Sequence, residues 1–67
     1  MDIRHRVGLR IQHFRRAKQW SQEELAHRAQ VHRTYLSKME RGVVNSTITV
    51  IARVAAVLEV NIGQLTD

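Results

Sequence analysis

Apolar residues recur along this chain at spacings of three and four, and nowhere alternate with polar residues for long enough to make a strand. That pattern predicts an all-α protein. Val7, Ile11 and Phe14 fall on one face of a first helix over about Ile3 to Lys18, while Arg4, Arg6, Arg10, Gln12, His13 and Arg16 fall largely elsewhere. Ser21 marks the second start: its hydroxyl can accept from the Glu24 N–H, and the Glu24 side chain can reach back, as in a capping box. The helix it opens spans about Gln22 to Ala29 and turns Leu25, Ala26 and Ala29 inward, with Trp20 placed to staple onto Leu25. The turn Gln30-Val31-His32, with Val31 as its buried plug, leads into a third helix over about Arg33 to Arg41. That helix turns Leu36 and Met39 to the core and ends at Gly42. After a loop over Val43 to Ser46, Thr47 caps a fourth helix reaching about Leu58 and burying Ile48, Ile51, Val54, Ala55 and Leu58. Asn61, with Gln64 three residues on as a second capping box, opens a short fifth helix through Leu65. No repeat, linker or low-complexity stretch divides the chain, so the expectation is one domain over residues 1–67, a compact five-helix bundle.

Composition narrows the picture. At 67 residues, a domain buries only about 60% of its unfolded surface. There is no cysteine, which excludes disulfides and thiol chemistry and permits a reducing cytosol. No apolar run approaches the ~20 residues a bilayer span needs, and no apolar N-terminal region suggests export. The charge is uneven. Residues 1–42 hold ten Lys and Arg against four acids, a balance of +6, whereas residues 43–67 hold Arg53 against Glu59 and Asp67, a balance of −1. A basic N-terminal two-thirds suits a polyanion, and a near-neutral aliphatic C-terminal third suits protein packing. His5, His13, His27 and His32 form no metal-ligand set, and no nucleophile, base and oxyanion arrangement is visible. We therefore expect no cofactor, no metal and no enzyme activity.

The segment from Trp20 to Gly42 carries the functional signal: two short helices, a tight turn, and a polar outer face on the second. In a small basic protein this pattern points to DNA reading in the major groove. The motifs Ser-Gln-Glu-Glu-Leu-Ala and Val-x-Arg-Thr-Tyr-Leu-Ser-x-x-Glu-Arg-Gly resemble the Cro/repressor (XRE-like) helix-turn-helix family, from about Val7 to Leu65. The resemblance implies a lambda repressor-like DNA-binding fold with residues 33–41 as recognition helix. By position, Arg33, Thr34 and Lys38 match the family's base-contacting sites, and Ser37 shares their face. Arg33 can donate two hydrogen bonds to guanine O6 and N7, Thr34 offers a methyl and a hydroxyl, and Lys38 can donate to guanine or phosphate.

Other roles follow from the same resemblance. Gln22, at the start of helix 2, matches a phosphate anchor; Arg41, Asn45 and Thr47 are the candidates on the other flank. Tyr35 has three readings: its ring stacks on the sugar-phosphate backbone, its hydroxyl donates to a phosphate, or the side chain covers the edge of the core. Arg15 and Glu40 match a largely buried ion pair. Glycine is common in the family where this chain has Gln19 and Gln30, and Ser or Asn where it has His32. Val57, Val60, Ile62 and Leu65 are the candidate dimer seam. The expectation is a cytoplasmic, nucleoid-associated transcription regulator, bacterial or phage-encoded. It would bind an inverted-repeat operator in double-stranded DNA as a homodimer, and RNA polymerase is a candidate partner. Phage-type repressor and restriction–modification controller both fit. The alternative is an antitoxin-type protein-interaction module that binds a toxin and regulates its own operon.

Overall fold

The computed structural model describes residues 2–67 and contains five helices: α1 (Ile3–Ala17), α2 (Gln22–Ala29), α3 (Arg33–Arg41), α4 (Ile48–Leu58) and α5 (Ile62–Thr66). Each start is fixed by a side chain accepting from a free first-turn N–H. Asp2 caps α1 through Arg4 N–H, Ser21 caps α2 through Glu24, Thr47 caps α4 through Val50, and Asn61 caps α5 through Gln64. At Asn61 the box is reciprocal, because Gln64 Oε1 accepts from the Asn61 N–H at 2.9 Å. At Ser21 it is not: Glu24 Oε2 instead accepts from Arg28 Nε at 2.8 Å. A cationic partner one turn on outcompetes a neutral backbone N–H for this carboxylate.

Helix ends show how far the chain tolerates left-handed backbone. Gly42 closes α3 at φ 74°, and Gln19, Gln30 and Glu59 adopt φ values of 61°, 58° and 62° after α1, α2 and α4. A non-glycine residue in that conformation costs about 1–2 kcal/mol. Gln19 and Gln30 stand where the family often has glycine. Glu59 is a third such position that the sequence does not announce, and its carboxylate accepts from Lys18 Nζ at 2.6 Å, bridging the ends of α1 and α4.

The core is built from Val7, Ile11, Leu25, Ala26, Ala29, Leu36, Met39, Val54, Ala55, Leu58 and Leu65. Two placements differ from the sequence reading. Ile48 is 62% exposed; it lines an open apolar depression with Ile3, Val7 and Ile51 instead of filling the core. Leu65 is fully buried, because α5 lies on α1, where Arg10 Nη1 also donates to the Gln64 carbonyl at 3.0 Å. Leu65 therefore belongs to the monomer core and leaves the candidate dimer seam. Val31, read as the buried plug of the turn, and Phe14 and Ile51 are partly buried against the core rather than inside it. Trp20 is also part-buried there, with Arg28 Cζ 4.4 Å and Lys18 Nζ 5.2 Å from its ring centre.

One residue absent from the apolar pattern controls how α1 meets α3. Gly8 is buried in α1, and a Cβ on it would lie 2.5 Å from the carbonyl oxygens of both Met39 and Glu40. The two backbones cross that closely, and Gln12 Nε2 fastens the crossing by donating to the Glu40 carbonyl at 2.9 Å.

Candidate nucleic-acid interface

The outer face of α3 is held by three things: the core beneath it, the cap at its start and the ion pair near its end. The cap is unusual. His32 Nδ1 accepts from the Thr34 N–H at 3.1 Å, so an imidazole nitrogen does what a Ser or Asn oxygen commonly does. This fixes the start of α3 at Arg33 and points its first residues outward. Arg33, Thr34, Lys38 and Arg41 are exposed and Ser37 is half-buried. Gln22, Arg33, Thr34, Ser37 and Arg41 line one open depression on the surface. Lys38 is not among its lining residues. Arg41 Nη1 lies 3.4 Å from Ser37 Oγ, a long contact along the same face.

The sequence-derived phosphate candidates fall into two groups. Gln22 opens α2 beside the first turn of α3. Its side chain is already engaged: Nε2 donates to Glu40 Oε1 at 3.0 Å. On the other flank Asn45 and Thr47 are exposed, and Thr47 Oγ1 accepts from Val50 N–H at 3.3 Å, leaving its own O–H free to donate. Tyr35 is half-buried, and its hydroxyl donates to Ser46 Oγ at 3.2 Å. A phosphate would have to displace that bond to take the proton. The tie instead pins the loop after α3 to the helix.

Arg15 and Glu40 form a buried ion pair. Arg15 Nε lies 2.7 Å from Glu40 Oε2 and Nη2 lies 3.0 Å from Oε1, a two-pronged arrangement, while Arg15 Nη1 donates to the Trp20 carbonyl at 2.9 Å. Glu40 is 3% exposed and Arg15 9%, so Arg15 is not a surface cation. The contact of Gln22 with Glu40 was not legible in the sequence. It joins residues 18 apart whose facing depends on how α2 and α3 pack.

Val57, Val60 and Ile62, the rest of the candidate seam, are half-buried around the end of α4 and the start of α5. Among the described residues no group of three His, Cys, Asp or Glu side chains is placed to hold a metal ion, and no helix is long and apolar enough to cross a membrane.

Comparison with known proteins places this geometry. Residues 11–65 match the helix-turn-helix family HTH_3. The HTH-type transcriptional regulator SinR of Bacillus subtilis is 40% identical over 62 residues, which is 91% of this chain and 56% of SinR. This chain thus spans little more than half the length of that relative. The crystal structure of SinR in complex with DNA superposes with a TM-score of 0.87 over 91% of this chain and 98% of that one, at 40% identity. The hypothetical transcription factor NHTF from Neisseria superposes with a TM-score of 0.95 at 39% identity, covering 98% of this chain and 76% of that one. The restriction-modification controller protein C.AhdI from Aeromonas hydrophila superposes with a TM-score of 0.89 at 32% identity, covering 92% and 94%.

Proposed function

The chain belongs to the helix-turn-helix family HTH_3, and from that premise we propose that it is a sequence-specific DNA-binding transcription regulator. The observation that carries this reading is the single depression in which Arg33, Thr34, Ser37 and Arg41 of α3 meet Gln22 of α2. It sets Arg33, Thr34 and Ser37, suited to base edges, beside Gln22 and Arg41, suited to phosphates, on the basic two-thirds of the chain. α3 would lie in the major groove with Arg33 and Thr34 leading, Ser37 and Lys38 following, and Gln22, Arg41, Asn45 and Thr47 on phosphates.

We propose further that two copies bind together, through Val57, Val60 and Ile62. That arrangement sets two α3 helices about 34 Å apart, one turn of DNA, and reads an inverted repeat. The protein would act in the cytoplasm at its operator, as a phage-type repressor or as a restriction–modification controller, with RNA polymerase as a partner where it activates. It would carry no catalytic activity and need no cofactor.

A second reading, an antitoxin-type module that binds a protein, has one observation in its favour. Ile3, Val43 and Ile48 are each more than half exposed, and Ile3 and Ile48 line one apolar depression outside the proposed seam. Selection of bound sites from a random duplex pool at about 150 mM salt separates the two, since general electrostatic binding is weak there. Enrichment of an inverted repeat with half-sites about ten base pairs apart supports the regulator. Salt-sensitive binding with no enriched motif supports the protein-binding module.

A further inference from the structure

We infer that Glu40 is a positioning residue for Gln22, so that the buried ion pair sets the grip on DNA as well as the stability of the fold. This rests on the DNA-binding reading above. Three donors converge on the Glu40 carboxylate: Arg15 Nε on Oε2 at 2.7 Å, Arg15 Nη2 on Oε1 at 3.0 Å, and Gln22 Nε2 on Oε1 at 3.0 Å. A carboxylate only accepts, so the face that Gln22 turns to it must be the amide nitrogen. The amide is thereby fixed in orientation, with its second N–H and its oxygen left for whatever occupies the depression shared with Arg33 and Thr34.

Two physical consequences follow. A free surface glutamine loses rotamer freedom when it grips a ligand, whereas one tied down beforehand has less to lose. Gln22 is the first residue of α2, where the Gln22 and Glu23 backbone N–H groups lack partners within the helix while Ser21 takes that of Glu24, so its fixed amide joins those two in one anion-accepting set. The second consequence is electrostatic. A lone carboxylate this close to Gln22 would repel a phosphate. The Arg15 guanidinium, held also on the Trp20 carbonyl, neutralises it, which lets Glu40 act as a tether without opposing the ligand.

The test is a double-mutant cycle on DNA affinity, read by anisotropy of a fluorescein-labelled duplex carrying the site enriched by the wild-type protein. The proteins are wild type, Glu40→Gln, Gln22→Ala and the double variant, at a temperature where circular dichroism finds all four folded. Glu40→Gln keeps the side-chain volume but cannot accept three donors. We expect each single change to weaken binding about tenfold, and the double variant to bind no more weakly than Gln22→Ala. Losses that multiply, with Glu40→Gln costing the same factor in both backgrounds, would assign Glu40 to the fold alone and overturn the positioning role. A wild type that binds no duplex overturns the DNA-binding reading along with it. A second measurement needs no variant to fold: in the free wild-type protein, one side-chain amide hydrogen of Gln22 exchanges more slowly than those of Gln19 and Gln30. Equal exchange at all three glutamines contradicts the tether.

Discussion

Replacing Gly8 by alanine opposes two effects that are usually discussed separately. On helix propensity alone, Gly8→Ala inside α1 stabilises by about 1 kcal/mol. The structure predicts the opposite sign. The added Cβ would sit 2.5 Å from the carbonyl oxygens of Met39 and Glu40, roughly 1 Å short of van der Waals contact. Those atoms are backbone and cannot rotate away, so α1 must lift off α3. That movement loosens Val7 and Ile11 against Leu36 and Met39, and stretches the Gln12 bond to the Glu40 carbonyl, now 2.9 Å. Overpacking of this kind costs about 1–3 kcal/mol, occasionally more. Two backbone oxygens at 2.5 Å put the cost in the upper part of that range, about 2–3 kcal/mol, and setting the propensity gain of about 1 kcal/mol against it leaves a net loss of about 1–2 kcal/mol. For a domain this size each kcal/mol moves the melting temperature by about 4–8 °C, so a fall of roughly 4–16 °C is expected. Thermal unfolding followed by circular dichroism, checked against the urea midpoint, measures it. A variant that melts at or above the wild-type temperature would refute the claim that the two helix backbones cross in contact at Gly8.

Three further outcomes follow from particular residues. Gln30→Gly relieves left-handed backbone at φ 58° and should raise stability by about 1 kcal/mol, seen as a higher melting temperature; an unchanged or lower one would contradict the strain. Arg33→Ala should relax base preference at one pair per half-site, with a loss of about 1–3 kcal/mol; uniform weakening on all duplexes would place Arg33 on phosphate instead. Asp2 caps α1, and the Arg4 side chain bonded to its carboxylate, with the Arg4 N–H, holds its pKa at about 2. Because the folded value lies below that of the unfolded chain, the cap contributes fully above the ordinary carboxylate range near ~4 and is lost as pH falls toward 2. The melting temperature of Asp2→Asn should therefore fall less steeply than that of wild type across this window; parallel profiles would remove Asp2 from the acid response.

The helices were readable because their starts are written locally. Ser21, Thr47 and Asn61 each cap the helix that follows within three residues, and periodicity supplies the inward faces. What could not be read depends on how helices meet. Glu24 had two partners in reach, and nothing in the local pattern says that Arg28 wins. Ile48 and Leu65 have the same apolar character, yet one stands outside and the other is sealed by α1, a contact between residues far apart in sequence. Gly8 carries no hydrophobic signal at all, although its missing side chain sets the spacing of α1 and α3. The candidate interface divides the same way. The exposed face of α3 follows from helical periodicity and the motif, while the tether from Gln22 to Glu40 exists only once α2 and α3 are packed.

The central claim is that DNA meets the outer face of α3 together with the start of α2. Mapping backbone amide shifts of ¹⁵N-labelled protein, titrated with the duplex enriched from a random pool, tests it directly. The account predicts changes concentrated at Gln22, over Arg33 to Arg41 and at Asn45 to Thr47, with any dimer signal confined to Val57 through Ile62. Changes centred on Ile3, Val43 and Ile48, with α3 unmoved, would contradict it.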